Sequence, residues 1–152
     1  MFLTAMTTQV PKAMTSLCLR DKVIIVTGGN SGIGKAIVEA VGALGAKVVI
    51  DYRSHPERTD ELIDEIGELG GQAIGVQADV AKLDDLQRLV DVAVKTFGKV
   101  DVMVNNAGIE TRTSILDTTP EDFDKVMNVN LRGVFFATQY LSLIHISEPT
   151  RL

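Results

Sequence analysis

The chain has no tryptophan, a single cysteine, two histidines and only 5 % aromatic residues among its 152 positions. Cys18, being alone, cannot close an intramolecular disulfide, and no pattern of Cys and His stands at metal-ligand spacing, so a disulfide scaffold and structural zinc are both excluded and a reducing, cytoplasmic setting is expected. There is no cationic excess: 15 basic residues are scattered among 20 acidic ones, the formal charge is −5, and no basic face is available to neutralise a nucleic-acid backbone. No run is long and apolar enough to span a bilayer, and MFLTAMTTQVPKAMTSL lacks the basic start and continuous apolar stretch of a signal peptide, so a membrane partner is not expected either. With Met6 and Met14 as alternative starts, residues 1–18 are expected to be a loose arm or an overlong start.

What remains is a globular composition, 45 % hydrophobic and 23 % charged, in a chain long enough for one core that buries roughly 70 % of the unfolded surface. Residues 22–27 (KVIIVT) are mostly β-branched and apolar on both sides of the pleat, as a strand covered on both faces requires. After GGNSGIG, Ile33, Ile37, Ala40, Val41 and Leu44 recur at helical spacing, and Gly45 stands where a C-terminal cap belongs. The unit then repeats. KVVID (47–51) reads as a second strand, Ser54 and Glu57 as a capping box for a helix presenting Leu62, Ile63, Ile66 and Leu69, and QAIGVQ (72–77) as a third strand. Leu86, Leu89, Val90, Ala93 and Phe97 mark a third helix, and VDVMVNN (100–106) a fourth strand. Thr119 and Pro120 begin a last helix whose apolar stripe takes Phe123, Met127, Val134, Ala137 and Leu141. Alternating elements of these lengths imply an α/β doubly wound parallel sheet, order 3-2-1-4, with helices on both faces.

Four places carry candidate chemistry. Thr27-Gly28-Gly29-Asn30-Ser31-Gly32-Ile33-Gly34 lies between a buried strand and an amphipathic helix, where glycine permits close backbone approach and helix N–H groups can hold a pyrophosphate; an ordinary glycine-rich turn is the plainer reading. Asp51-Tyr52-Arg53 ends the second strand, where an acid accepts from ribose hydroxyls and an arginine pairs with a 2′-phosphate, or where the charges are merely solvated. Asp79-Val80 either faces an adenine or starts a helix, and Asn105-Asn106-Ala107-Gly108 ends the fourth strand at the carboxyl edge of the sheet. Asn130 falls on the apolar face of the last helix, so its amide needs a partner, either a core carbonyl or an active-site water.

TGGNSGIG, DV, NNAG and NVNLRGVF, in that order over residues 19–140, resemble the N-terminal half of a short-chain dehydrogenase/reductase, a Rossmann-type fold cut after its fourth strand and following helix. VVIDYRS and DVMVNNAGIE resemble glucose 1-dehydrogenases within that family, with 3-oxoacyl-acyl-carrier-protein reductases close behind. The resemblance implies an NAD(P)-dependent oxidoreductase interconverting a secondary alcohol and its carbonyl, and a tetrameric full-length parent; the alternative is a non-catalytic dinucleotide-binding module. It further implies that Gly28, Gly32 and Gly34 line the pyrophosphate, that Asp79 and Val80 meet the adenine, that Asn106, Ala107 and Gly108 border the ribose, and that Thr27 supports their turn. The NAD-selecting acid of the family falls in the slot of Tyr52, whereas Arg53 matches the arginine of NADP users, which favours NADP or dual use over NAD. Asn130 matches the asparagine of the catalytic tetrad. The Ser and the Tyr-x-x-x-Lys of that tetrad have no counterpart here, since Tyr52 and Tyr140 are followed four places on by Pro56 and Ile144. LSLIHISEPTR (141–151) resembles the translation of a sequencing-library adapter, so residues 141–152 are expected to be a non-native tail in which Ser147-Glu148-Pro149 breaks the helix.

Overall fold

A computed structural model describes residues 18–147, so the expectations placed on residues 1–17 and on Glu148 and Pro149 lie outside it. Four strands, β1 (Val23–Val26), β2 (Lys47–Tyr52), β3 (Gln72–Gln77) and β4 (Val102–Val104), form one parallel sheet in the order β3-β2-β1-β4. Helices α1 (Gly32–Ala43), α2 (Pro56–Glu68) and α3 (Leu83–Phe97) link them, and α4 (Pro120–Met127), a π-helical stretch (Asn128–Gly133) and α5 (Val134–Ser147) follow.

The period-2 geometry of β1 divides the core in two. Val23 and Ile25 face Leu89, Val90 and Ala93 of α3, with Tyr140, Leu141 and Ile144 of α5 packed alongside. Ile24 and Val26 face Val38 of α1 and Leu62 and Ile66 of α2 on the opposite side. Both faces of β1 and β2 are therefore dry, which is why their sequences are continuous apolar runs rather than alternating ones. The Val, Ile and Leu side chains of β1, α1, α2 and α3 among these are at or near zero exposure, and each contributes roughly 1.5 to 3 kcal/mol by leaving water.

The sheet order follows the expectation, but several local features do not. The buried residues of α1 are Gly34, Val38 and Gly42; of the expected stripe, Ile37 and Val41 are half-buried against the same core, while Ala40 is exposed and Ile33 is 75 % exposed. The two glycines let the helix lie close to its neighbours: a Cβ on Gly42 would stand 3.0 Å from Ile66 Cγ1. Gly45 does follow the helix end with φ +87°, as the cap reading required. The Ser54/Glu57 capping box does not form, because α2 starts one residue later, with His55 at the cap position in a left-handed conformation (φ 62°) and Pro56 in the first turn. β4 is three residues rather than seven, since it pairs only with β1 and the chain turns away after Val104. The Thr119 cap is present in full, its hydroxyl accepting from the Asp122 N–H (3.1 Å) while the Asp122 carboxylate accepts from Thr119.

Candidate functional site

The carboxyl ends of β1, β2, β3 and β4 surround an open cleft of ≈ 280 Å³, lined by residues from every one of the four turns that follow them. Thr27 organises its floor. The Thr27 hydroxyl accepts from the Asn106 and Ala107 N–H groups, both at 3.0 Å, and donates to the Val104 carbonyl at 3.3 Å, so its one hydrogen and both lone pairs are used. Asn106 answers with its amide, donating to the carbonyls of Thr27 (2.9 Å) and Gly28 (3.2 Å). The glycine turn after β1 and the asparagine turn after β4 are thereby knotted together at the point where the strand order reverses.

Two glycines of the turn are required by this knot. A Cβ on Gly34 would lie 2.2 Å from the Gly28 carbonyl oxygen and 2.6 Å from Asn106 Nδ2, and one on Gly28, already at φ +61°, would press on Ala107 at 3.2 Å. Gly32 differs: it holds φ +53° with nothing within 4 Å of a Cβ, so no protein neighbour demands its openness. Beside it, α1 begins at Ser31 with no side-chain cap and no acid in its first turn. A helix N-terminus left with bare N–H groups and the positive end of its dipole is suited to an anion.

Asp51 lies beneath the turn. Only 2 % exposed, it accepts from the Gly28 N–H through Oδ2 (3.2 Å), and its backbone carbonyl accepts from the Gly29 N–H (2.8 Å). Its Oδ1 is buried without a partner. Burial pushes the carboxyl up to about 7, the Gly28 hydrogen bond opposing this and the carboxylates of Asp79 and Asp85 adding to it. The last two residues of β2 and the one after it are separated in space: Asp51 and Arg53 line the cleft, while Tyr52 is set against Gly75 of β3 and does not. Asp79 lines the cleft and also starts the following turn, its Oδ1 accepting from the Ala81 N–H at 3.0 Å, so the two readings of this residue are compatible. The Asp79 N–H in turn donates to Asp85 Oδ2 (2.9 Å), the main reason the Asp85 carboxyl sits below its ordinary range.

Asn130 departs from expectation in its exposure, while its amide does find a backbone partner, as one of the two readings required. It is exposed, not buried, and both ends of its amide are committed to one backbone unit, Oδ1 accepting from the Ile109 N–H (2.9 Å) and Nδ2 donating to the Ile109 carbonyl (2.8 Å). The π-helical winding of residues 128–133 turns Val129 and Gly133 inward and leaves Asn130 facing the turn after β4. Close approach explains Gly133, whose Cβ would meet the Val80 carbonyl at 2.6 Å.

Of the residues singled out in the sequence, Gly28, Asn30, Ser31, Asp51, Arg53, Asp79, Val80, Asn106, Ala107 and Gly108 line the cleft together. Thr27 and Gly34 support it from behind, Asn130 holds its rim, and Gly32 and Ile33 stand at the exposed start of α1. Ser54, Ala78, Ile109 and Val129 also line the cleft; all but Ala78 fall within the sequence stretches singled out above, but as small or apolar residues they carry no chemical signal of their own.

Residues 22–146 match the family model described as short chain dehydrogenase. Versicolorin reductase of Emericella nidulans is 45 % identical over 134 residues, which are 88 % of this chain and 50 % of that protein. A hydroxynaphthalene reductase-like protein of Metarhizium acridum is 35 % identical over 97 % of this chain and 53 % of its own length. Among solved structures, a short chain dehydrogenase from Burkholderia cenocepacia in complex with NADP superposes with a TM-score of 0.80 at 41 % identity, covering 82 % of this chain and 51 % of that one. The chain thus spans about half the length of the relatives it matches. With the family model matching most of its length and relatives of 35 to 45 % identity covering it, the chain belongs to the short-chain dehydrogenase/reductase family.

Proposed function

We propose that these residues are the cofactor-holding part of an NADP-preferring oxidoreductase that reduces a carbonyl, and that the 152 residues bind the dinucleotide without turning it over. The observation that carries this reading is the uncapped start of α1 set over a glycine turn, with Arg53 on the same cleft. In it, Gly28 and the first N–H groups of α1 hold the pyrophosphate, Arg53 meets the 2′-phosphate, Asp79 and Val80 border the adenine, and Asn106, Ala107 and Gly108 border the ribose. Bound NADPH supplies the hydride. Asn130 serves by fixing the Gly108–Ile109 turn, since its side-chain amide is already committed there.

The buried Asp51 does not argue for NAD, because it is engaged with Gly28 and sits beneath the turn. For the substrate, the relatives are named as reductases of versicolorin and of the hydroxynaphthalene type, which favours a carbonyl on an aromatic ring system over the sugar hydroxyl that the VVIDYRS stretch suggested. Catalysis needs groups that these residues do not supply, as no Tyr-x-x-x-Lys occurs among them.

Fluorescence titration of the chain with NADPH and NADH tests the proposal. NADPH is expected to bind more tightly, with no consumption of it on adding a hydroxynaphthalene-derived ketone. Tighter binding of NADH, or no binding of either, would overturn the cofactor reading, and turnover would overturn the non-catalytic one.

A further inference from the structure

Three consecutive carbonyls at the end of β2 are each held by a side-chain amide reaching in from another part of the chain. The Arg53 carbonyl accepts from Gln77 Nε2 (3.1 Å), and the next two, those of Ser54 and His55, accept from Asn30 Nδ2 at 2.8 and 3.1 Å. Asn30 is 8 % exposed and belongs to the glycine turn, whereas Gln77 is exposed at the end of β3. The backbone between them includes His55 at φ 62°, a conformation that a non-glycine residue seldom holds without outside support. Two carbonyls converging on one nitrogen also fix the Asn30 amide the right way round, since its oxygen could not take that position.

We infer that Asn30 is a specificity-determining positioning residue, which sets the preference for a 2′-phosphorylated nucleotide by holding the Arg53–His55 backbone in register with the glycine turn. The inference rests on the reading that Arg53 meets the 2′-phosphate. A long guanidinium side chain discriminates only if its root is fixed, and the only structure between Arg53 and the start of α2 is this short segment. The clamp also ties two parts of one ligand together, because the residue that holds the Arg53 loop is in the turn that holds the pyrophosphate.

The test compares adenosine 2′,5′-bisphosphate with 5′-AMP, by calorimetry on the 152-residue chain and on its Asn30→Ala, Gln77→Ala and Arg53→Ala variants. Asn30→Ala is expected to raise the Kd of the bisphosphate about tenfold, the scale of one well-placed hydrogen bond to an ionised group, and that of 5′-AMP by a clearly smaller factor. Gln77→Ala should move the ratio the same way by a smaller factor; as Gln77 is exposed and does not line the cleft, it decides the matter alone if Asn30→Ala fails to fold. Exchange of the Arg58 amide, whose N–H donates to the His55 carbonyl (3.2 Å), should quicken in Asn30→Ala. Equal losses for both nucleotides, or an unchanged ratio in both amide variants while Arg53→Ala collapses it, would overturn the inference and spare the reading beneath it. An unchanged ratio in Arg53→Ala would remove that reading and the inference with it.

Discussion

The amide of Asn130 closes a two-point clamp on the backbone of Ile109, accepting from its N–H at 2.9 Å and donating to its carbonyl at 2.8 Å across 21 residues of sequence. The clamp joins the π-helical stretch to the turn after β4 at the rim of the cleft.

Asn130→Ala should therefore cost about 1 kcal/mol, because the amide is exposed and water replaces part of what is lost. Asn130→Asp should cost at least as much at neutral pH, keeping the acceptor for the Ile109 N–H but setting a carboxylate against its carbonyl. Urea denaturation reads the stability, and quickened exchange of the Ile109 amide reads the clamp; an unchanged Ile109 amide in both variants would refute it.

Gly34→Ala and Gly32→Ala should separate folding from binding. The first places a Cβ 2.2 Å from the Gly28 oxygen and should destabilise the chain by roughly 3 kcal/mol or more. The second meets nothing and carries only the left-handed backbone penalty of about 1 to 2 kcal/mol, yet should weaken NADPH binding by crowding the start of α1. Thermal melts and nucleotide titration distinguish them, and equal melting points would contradict the assignment.

Asp51 makes stability depend on pH in a known direction. Its carboxyl is raised from 3.8 to about 7 in the folded state, so below pH 3.8 both states hold the proton and the group has no effect. Between those values the unfolded chain loses the proton and the folded one keeps it, so stability falls as pH rises, by up to about 4 kcal/mol, and levels off above 7. Asp51→Asn removes that fall but leaves a buried N–H₂ unpaired where Oδ1 was, for a net gain of roughly 1 to 3 kcal/mol at pH 8 and none at pH 4. Denaturation of both proteins at the two pH values checks it; parallel pH profiles would rule out Asp51 as the source.

The topology is legible because VIIV and VVI are short, β-branched apolar runs bounded by turn residues, as a strand covered on both faces is, and because the glycine turn stands between such a run and an amphipathic helix. What escaped sequence reading has local physical causes. The face of Asn130 was misjudged because the π-helical winding breaks the 3.6-residue period just where the residue sits. The inward face of α1 centres on Gly34, Val38 and Gly42, with the expected Ile37 and Val41 flanking it; its centre escaped because two of those three buried residues are glycines, which carry no apolar signal. Ser54 and Glu57 have the spacing of a capping box, but Asn30, distant in sequence, takes the carbonyls of Ser54 and His55 and resets the helix start. Asp51 looks like a solvated strand end, and only its position beneath the glycine turn reveals the buried, unpaired oxygen.

The hydrogen bonds between Thr27 and Asn106 span 79 residues, against the 24 that separate paired positions of β1 and β2. Loop closure and non-local pairing both place so distant a contact late in folding, after the β1-β2-β3 half-sheet can form. Ligand competence should then lag secondary structure when the unfolded chain is diluted into buffer, with the rise of NADPH fluorescence trailing the far-ultraviolet signal in a stopped-flow trace. Simultaneous signals would mean that the two turns meet as early as the strands do; a lag would make the nucleotide a reporter of the moment the fourth strand arrives.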